Sequence, residues 1–473
     1  MLKRYFSNII FLLLFLFTTP IIWGQVSPEG QSPKKLTGNW NGVRTALVNK
    51  GVILETIYTG EFVSNLSGGI SNGSEYLDIV DLIFDIDFEE LIHWKGANFH
   101  TDILGIHGGN PSDYVGDFQG VSNIAASNSW KIYETWLQQN LWENKFSVLL
   151  GMYDLNSEFD VLESAGLFIN SSFGMGAELA QSGKNGPSTF PSTALALRIK
   201  TQINEHFCFQ TAILDGVPDD KKNSWGLNCV INKHDGALLT SEIIFTHENK
   251  TVKRFQNFSR RKQYLRRGLR FNKNRKFLGR SNQSNRRNNK TGRRYKRQTV
   301  TPLNTTKQVY SKMAIGGWYY TSDFNYIESE NFLRYQGSWG IYSLLEKSVF
   351  TIKENIQQGL SVFLRLGISD GHTNQVDTYC GSGIVYSGIF TKFFQDQIGL
   401  AVAAAHISDN FKNNILENGE TLDSWEVNFE LLYRAEINEW CSIQPDVQYI
   451  FNPGFNPTLK NAISFGTRLE ICF

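Results

Sequence analysis

Asp154, Asn156, Glu158 and Asp160 place four side-chain acceptors within seven residues, and Arg198 downstream adds a planar guanidinium fork. Acceptors at this density can take up hydroxyl protons, while the fork donates in a fixed geometry. Trp136 shares a strand face with Glu134 and Gln138 at period two, which sets an aromatic plate beside polar groups. Covalent chemistry is poorly served. Glu158 and Asp160 are the best carboxylate pair for glycoside hydrolysis, but acids are abundant in this chain, and no G-x-S-x-G nucleophile elbow is present. The eight histidines show no metal-ligand spacing and read as strand-end and loop residues, so no metal or cofactor is expected. Five dispersed cysteines never form C-x-x-C; Cys229 and Cys380 are the pair that loops could bring together. The reading is of a non-enzyme.

The elements that must position these residues repeat with period two. Ile463, Phe465, Thr467, Leu469, Ile471 and Phe473 occupy one face of the last segment, and Ser464, Gly466, Arg468, Glu470 and Cys472 the other. Trp425, Val427, Phe429, Leu431 and Tyr433 alternate likewise with Glu426, Asn428, Glu430, Arg434 and Glu436 further along, so the polar face is charged. Such segments fall at 52–65, 79–91, 98–109, 130–142, 145–154, 194–203, 206–216, 237–248, 312–324, 339–351, 359–370, 384–393, 396–409, 424–437, 441–451 and 461–473. Sixteen antiparallel strands close into a barrel without an open edge, as lipid requires, because an unpaired backbone group there costs several kcal/mol. The expected fold is therefore all-β, a transmembrane antiparallel β-barrel of 16 strands. Short turns alternate with long outer loops, and the connection between Tyr153 and Ala194 is expected to fold into the lumen on Phe159, Phe168, Phe173 and Phe190. A secreted β-sandwich is the competing architecture, but its strands rarely run this long. Trp94, Trp130, Trp142, Trp318, Tyr319, Trp339 and Trp425 fit an interfacial girdle. Asp81, Asp85, Asp87, Glu426, Glu430 and Glu436 are expected in the lumen, where their field disfavours anions.

Lys3 and Arg4 precede an apolar run from Ile9 to Phe17, then Pro20 and Gly24, the layout of a secretory signal. Residues 1–25 are read as a cleaved signal peptide, 26–51 as an N-terminal periplasmic segment, and 52–473 as the barrel, interrupted by a basic low-complexity insertion at 251–311. No later apolar run approaches the roughly 20 residues of a membrane helix. Of the chain's 46 Lys and Arg, 19 lie in 251–300, which holds no Asp or Glu. This block attracts anionic periplasmic polymers or lipid head groups, or is a tolerated insertion without function; export argues against nucleic acid as a partner.

Three stretches carry a family resemblance: Leu36-Thr-Gly-Asn-Trp-Asn-Gly-Val-Arg44; Asp154-Leu-Asn-Ser-Glu-Phe-Asp160 through Ala165-Gly-Leu-Phe-Ile-Asn-Ser-Ser-Phe173; and Gln444-Pro-Asp-Val-Gln-Tyr-Ile-Phe-Asn-Pro-Gly454. Together they resemble the OprB-type carbohydrate-selective porins, whose members often carry Asp where Asn39 stands and Gly where Asn41 stands. The resemblance implies a sixteen-stranded barrel in the bacterial outer membrane, surrounded by its lipid, that passes small sugars passively. Sugars are neutral, with hydroxyl rims and C–H faces, so selectivity needs donors, acceptors and an aromatic plate together. On that reading Asp154, Asn156, Glu158, Asp160, Arg198, Trp136 and Glu134 line the constriction. Alternatively the two aspartates brace the loop, Arg198 pairs with a wall carboxylate, and Trp136 belongs to the girdle. A general porin without substrate preference, or an outer-membrane adhesin or scaffold, are the other functional readings.

Overall fold

The computed structural model describes residues 35–218, 235–248, 310–325, 334–352, 355–390, 396–417, 419 and 421–473. Sixteen strands form one closed antiparallel barrel in which each pairs with its neighbours in sequence and β1 closes on β16. In chain order they are β1 Val52–Gly69, β2 Gly73–Asp87, β3 Ala97–Gly108, β4 Ser129–Leu141, β5 Phe146–Tyr153, β6 Ala194–Gln202, β7 Phe207–Asp215 and β8 Ala237–Glu248. There follow β9 Tyr310–Asn325, β10 Arg334–Ile352, β11 Asn355–Ser369, β12 Val376–Ser387, β13 Asp396–Ile407, β14 Trp425–Asn438, β15 Cys441–Phe451 and β16 Lys460–Cys472. The seam pairs Gly60 with Leu469 and Glu61 with Arg468, so every strand edge is satisfied.

Burial is inverted relative to a water-soluble protein. Phe429 and Leu431 stand nearly half exposed on β14, while Glu426 and Glu430 between and beside them are fully buried. Alternation of this kind gives an apolar band outside and a polar face within. No helix among the described residues is long and apolar enough to cross a membrane. Trp94, Trp130, Trp142, Tyr319, Trp339 and Trp425 are exposed on the outer surface. Trp318 is not: it points inward, 3% exposed, with its indole over Gly340, where a Cβ would collide with the ring.

Several strand boundaries differ from the periodicity, among them the end of β2, the start of β10 at Arg334 and both ends of β12. β2 stops at Asp87, whose carboxylate accepts the Glu89 and Glu90 amides and starts the helix Phe88–Ile92. Asp87 is thus a helix cap at the barrel end, not a lumen residue. β12 starts eight residues earlier than expected, at Val376, and ends before Gly388, whose φ of +82° suits a turn residue. Gly381 and Gly383 interrupt its apolar pattern, and the apolar run after Val385 belongs partly to the turn. Cys380 consequently lies within β12, and no disulfide forms among the described residues. Cys229, the signal segment and the basic block at 251–300 lie outside the described residues. β8 and β9 pair directly, Ser241 opposite Gly317, so the insertion connects adjacent strands at the end carrying both termini. There Lys35 Nζ lies 3.1 Å from Glu55 Oε1, and the Leu36 amide donates to Cys472 O, tying the N-terminal segment to the barrel.

Candidate permeation pathway

Among the described residues, two connections fold into the lumen, not one. Residues 109–128 join residues 154–193 there: Asn123 N donates to Ile169 O at 2.9 Å, Ser171 N to Gly120 O at 2.9 Å, and Ser172 Oγ to Gln119 Oε1 at 2.9 Å. The sequence signal for the second was weak, because Gln119, Ser122 and Asn123 look like ordinary loop polars.

The buried wall carboxylates hold these loops. Each oxygen of Glu430 accepts one of two successive amides, Ile169 N at 2.6 Å and Asn170 N at 2.9 Å. Glu426 does the same with Phe118 N at 2.8 Å and Gln119 N at 2.9 Å, and Glu346 with Glu163 N and Ser164 N. Glu242 accepts Asp160 N at 3.0 Å. A carboxylate with amide donors on both oxygens forms charge-assisted bonds stronger than neutral ones. Glu426 and Glu430, expected to set the lumen field, therefore act first as loop clamps.

Arg365 of β11 completes the attachment and was missed in the sequence, where it is one arginine among many. Its two terminal nitrogens donate to four loop carbonyls, those of Ser172, Phe173, Asp160 and Gly174, at 2.8–3.0 Å. Its Nε lies 3.0 Å from Asp160 Oδ1. Only a five-donor fork can serve so many acceptors at once. The expected apolar anchors pack beside it: Phe168 and Phe173 have centroids 4.9 Å apart, and Phe363 of β11 lies 5.7 Å from Phe168. Two wall glycines let the loop approach. A Cβ on Gly399 would stand 2.8 Å from the Phe168 ring, and one on Gly367 would overlap the Glu178 carboxylate.

The residues expected to touch solute are mostly engaged with protein. Asp154 caps Asn156 N at 2.9 Å, and Asn156 Nδ2 donates to the carbonyls of Phe159, Asp160 and Gly174. Asp160 pairs with Arg365 and accepts Gly176 N at 2.9 Å. Glu158 receives Tyr153 Oη at 2.7 Å and lies 2.8 Å from Arg198 Nε and 2.9 Å from Lys200 Nζ. Arg198 also donates to Ser147 and to Gln138 Oε1 at 2.6 Å. Trp136 faces inward, stacked on His100 at 4.8 Å, with Nε1 donating to Glu134 Oε1 at 3.3 Å; the same oxygen accepts Asp154 N at 3.0 Å. The structure thus brings Glu134, Trp136 and Asp154 together, and Glu158 with Arg198, in bracing contacts. Nearer the terminus end, the inner face of β2–β4 gathers Asp81, Asp85, His100, Asp102 and Glu134. His100 lies inside β3, so it is not a strand-end or loop residue.

Glu178, on the short loop helix Ala177–Ala180, is buried against β11 and β12. Burial, then the Asp160 charge, push its carboxyl up to about 8, with Arg365 opposing. Protonation accompanies the seated loop, because the released side chain would return to 4.5. Attachment is accordingly strongest below 4.5 and weakens as pH rises through 8. Open-channel noise should grow over that window and flatten in Glu178→Gln; identical pH profiles for the two proteins would refute the assignment.

A family profile for the carbohydrate-selective porin, OprB family, matches residues 71–473. Porin B of Pseudomonas aeruginosa is 24% identical over 482 residues, covering 94% of this chain and 93% of that one. The high-pH structure of Pseudomonas putida OprB superposes with a TM-score of 0.74 at 21% identity, over 94% of this chain and 100% of that one. Its low-pH structure gives 0.53 at 18% identity, over the same shares of the two chains. With the family matched across most of its length and the sixteen-stranded barrel in place, this chain belongs to the OprB family of carbohydrate-selective porins.

Proposed function

We propose that the protein passes small neutral sugars passively across the outer membrane, between the acidic β2–β4 wall and the inner surface of loop 154–193, after export by a cleaved signal peptide. The carrying observation is the loop's fixation inside a closed barrel by Arg365 and the glutamate clamps. A fixed loop presents a constant cross-section, and selectivity depends on what narrows a wide lumen. Lys200, 27% exposed, and half-buried Gln138 and Asn156 supply donors and acceptors at the path's edge. Arg198, Glu158, Asp154, Asp160, Glu134 and Trp136 act there mainly by holding these groups and the loop in place. Transport needs weak binding, because each solute must also leave. Catalysis has no role in this reading.

Liposome swelling tests it. Reconstituted protein should swell vesicles readily in glucose, less in disaccharides, and least in anions of glucose's size. Equal rates for all solutes would mean a general porin, and absent swelling would leave only an adhesin or scaffold. In planar bilayers the remaining wall acids, Asp81, Asp85, Asp102 and Glu134, should make the channel favour K⁺ over Cl⁻. A reversal potential of anionic sign would overturn the electrostatic part.

A further inference from the structure

We infer that His100, Asp102 and Glu134 form a binding site for a divalent transition-metal ion on the lumen wall. Asp102 and His100 are two residues apart on β3 and share its inner face, and Glu134 of β4 is the cross-strand partner of Asp102. One ligand atom from each lies within 4.8 Å of the other two. All three side chains are buried. Sequence spacing conceals the set because its members come from different strands, joined only by register.

The arrangement is more specific than a cluster of acids. His100 Nδ1 is held by Asp85 Oδ1 at 2.6 Å, which fixes the ring and leaves Nε2 as the atom turned toward the site. Nε2 lies 3.8 Å from Glu134 Oε2, beyond hydrogen-bond reach. A carboxylate on the distal nitrogen of a histidine is the usual support for a metal-ligating imidazole. Trp136 stacks on the ring, interplanar angle 23°, and limits its rotation. Glu134 is oriented in the same way: Oε1 accepts both Trp136 Nε1 and Asp154 N, and Oε2 is the oxygen that faces His100 Nε2. Tetrahedral ligands at about 2.1 Å stand roughly 3.4 Å apart, so binding draws the three groups together by about an ångström, within side-chain rotation.

One imidazole with carboxylates suits Zn²⁺, Mn²⁺ or Fe²⁺ better than Ca²⁺ or Mg²⁺, which prefer all-oxygen shells. Three protein ligands leave a position for water. Asp85, with its side chain 24% exposed, marks the approach from the lumen. Lys131, inward on β4 and directed to Ser192 Oγ at 3.4 Å, is the nearby wall cation that an incoming ion must tolerate. The site does not depend on the solute reading above, because ion binding is measured without any sugar.

The test is titration of the purified, detergent-solubilised full chain with Zn²⁺, and separately with Co²⁺ to follow d–d absorption. One saturable site per chain is expected, with Ca²⁺ failing to displace Zn²⁺. His100→Ala should lose the site. Asp102→Asn should weaken it at least tenfold, and Asp85→Asn by about 10- to 100-fold through the support it withdraws. Retained heat-modifiable gel mobility verifies that each variant is folded. Absence of saturable binding, or a site that persists unchanged in folded His100→Ala, would overturn the inference, the second outcome assigning the ion to other histidines.

Discussion

Arg365→Met is expected to raise single-channel conductance severalfold and admit solutes larger than those the parent passes. The substitution strips four loop carbonyls of their donors and leaves Asp160 buried without its guanidinium partner. Breaking a buried ion pair from one side costs about 3–5 kcal/mol, and each 1.4 kcal/mol is a tenfold change in an equilibrium. Loop 154–193 should therefore shift toward release by roughly two to three orders of magnitude, while strand pairing persists and the barrel stays folded. Arg365→Lys should recover only part of the effect, since an ammonium cannot serve carbonyls on both sides of a planar fork. Conductance and trisaccharide swelling measure it. Parental values for both would mean that the glutamate clamps suffice alone.

The second large effect is expected from Glu430→Ala. Ile169 and Asn170 lose the acceptor for two buried amides, each bond to a charged group contributing about 1.5–3 kcal/mol. Amide hydrogen exchange across 165–175 should accelerate by about a hundredfold or more, if loss of the two bonds passes directly into local opening. Glu426→Ala should act on Phe118 and Gln119 in the other loop, with little effect at Ile169. Combining Glu430→Ala with Arg365→Met should give less than the summed effect, because both hold one segment and its first release exposes the remaining contacts. Unchanged exchange in Glu430→Ala would show that the apolar anchors carry the attachment.

These expectations place the acidic inner face in a different role from the one its charge suggests. Alternation in β14 correctly put Glu426 and Glu430 indoors, yet nothing in it distinguishes an acid facing water from one gripping backbone amides. The partners sit about 260 and 308 residues away in sequence. Phe168 and Phe173 were legible as loop anchors because aromatic residues stand out in a Gly-, Ser- and Asn-rich connection. Arg365 was not, since its acceptors are main-chain carbonyls with no side-chain signature. Trp318 was misplaced for a related reason: an aromatic near a strand end fits either the girdle or the interior, and only strand register decides which.

What the sequence by itself determined is the barrel: lipid and water lie on opposite faces of every strand, so period two records inside and outside residue by residue, and three local motifs carry the family. What tertiary structure alone decided is the use of the interior. The loop seating, the carboxylate clamps and the grouping of His100 with Asp102 and Glu134 all depend on cross-strand register and chain reversal, which bring distant residues within bonding distance and leave no mark on local composition.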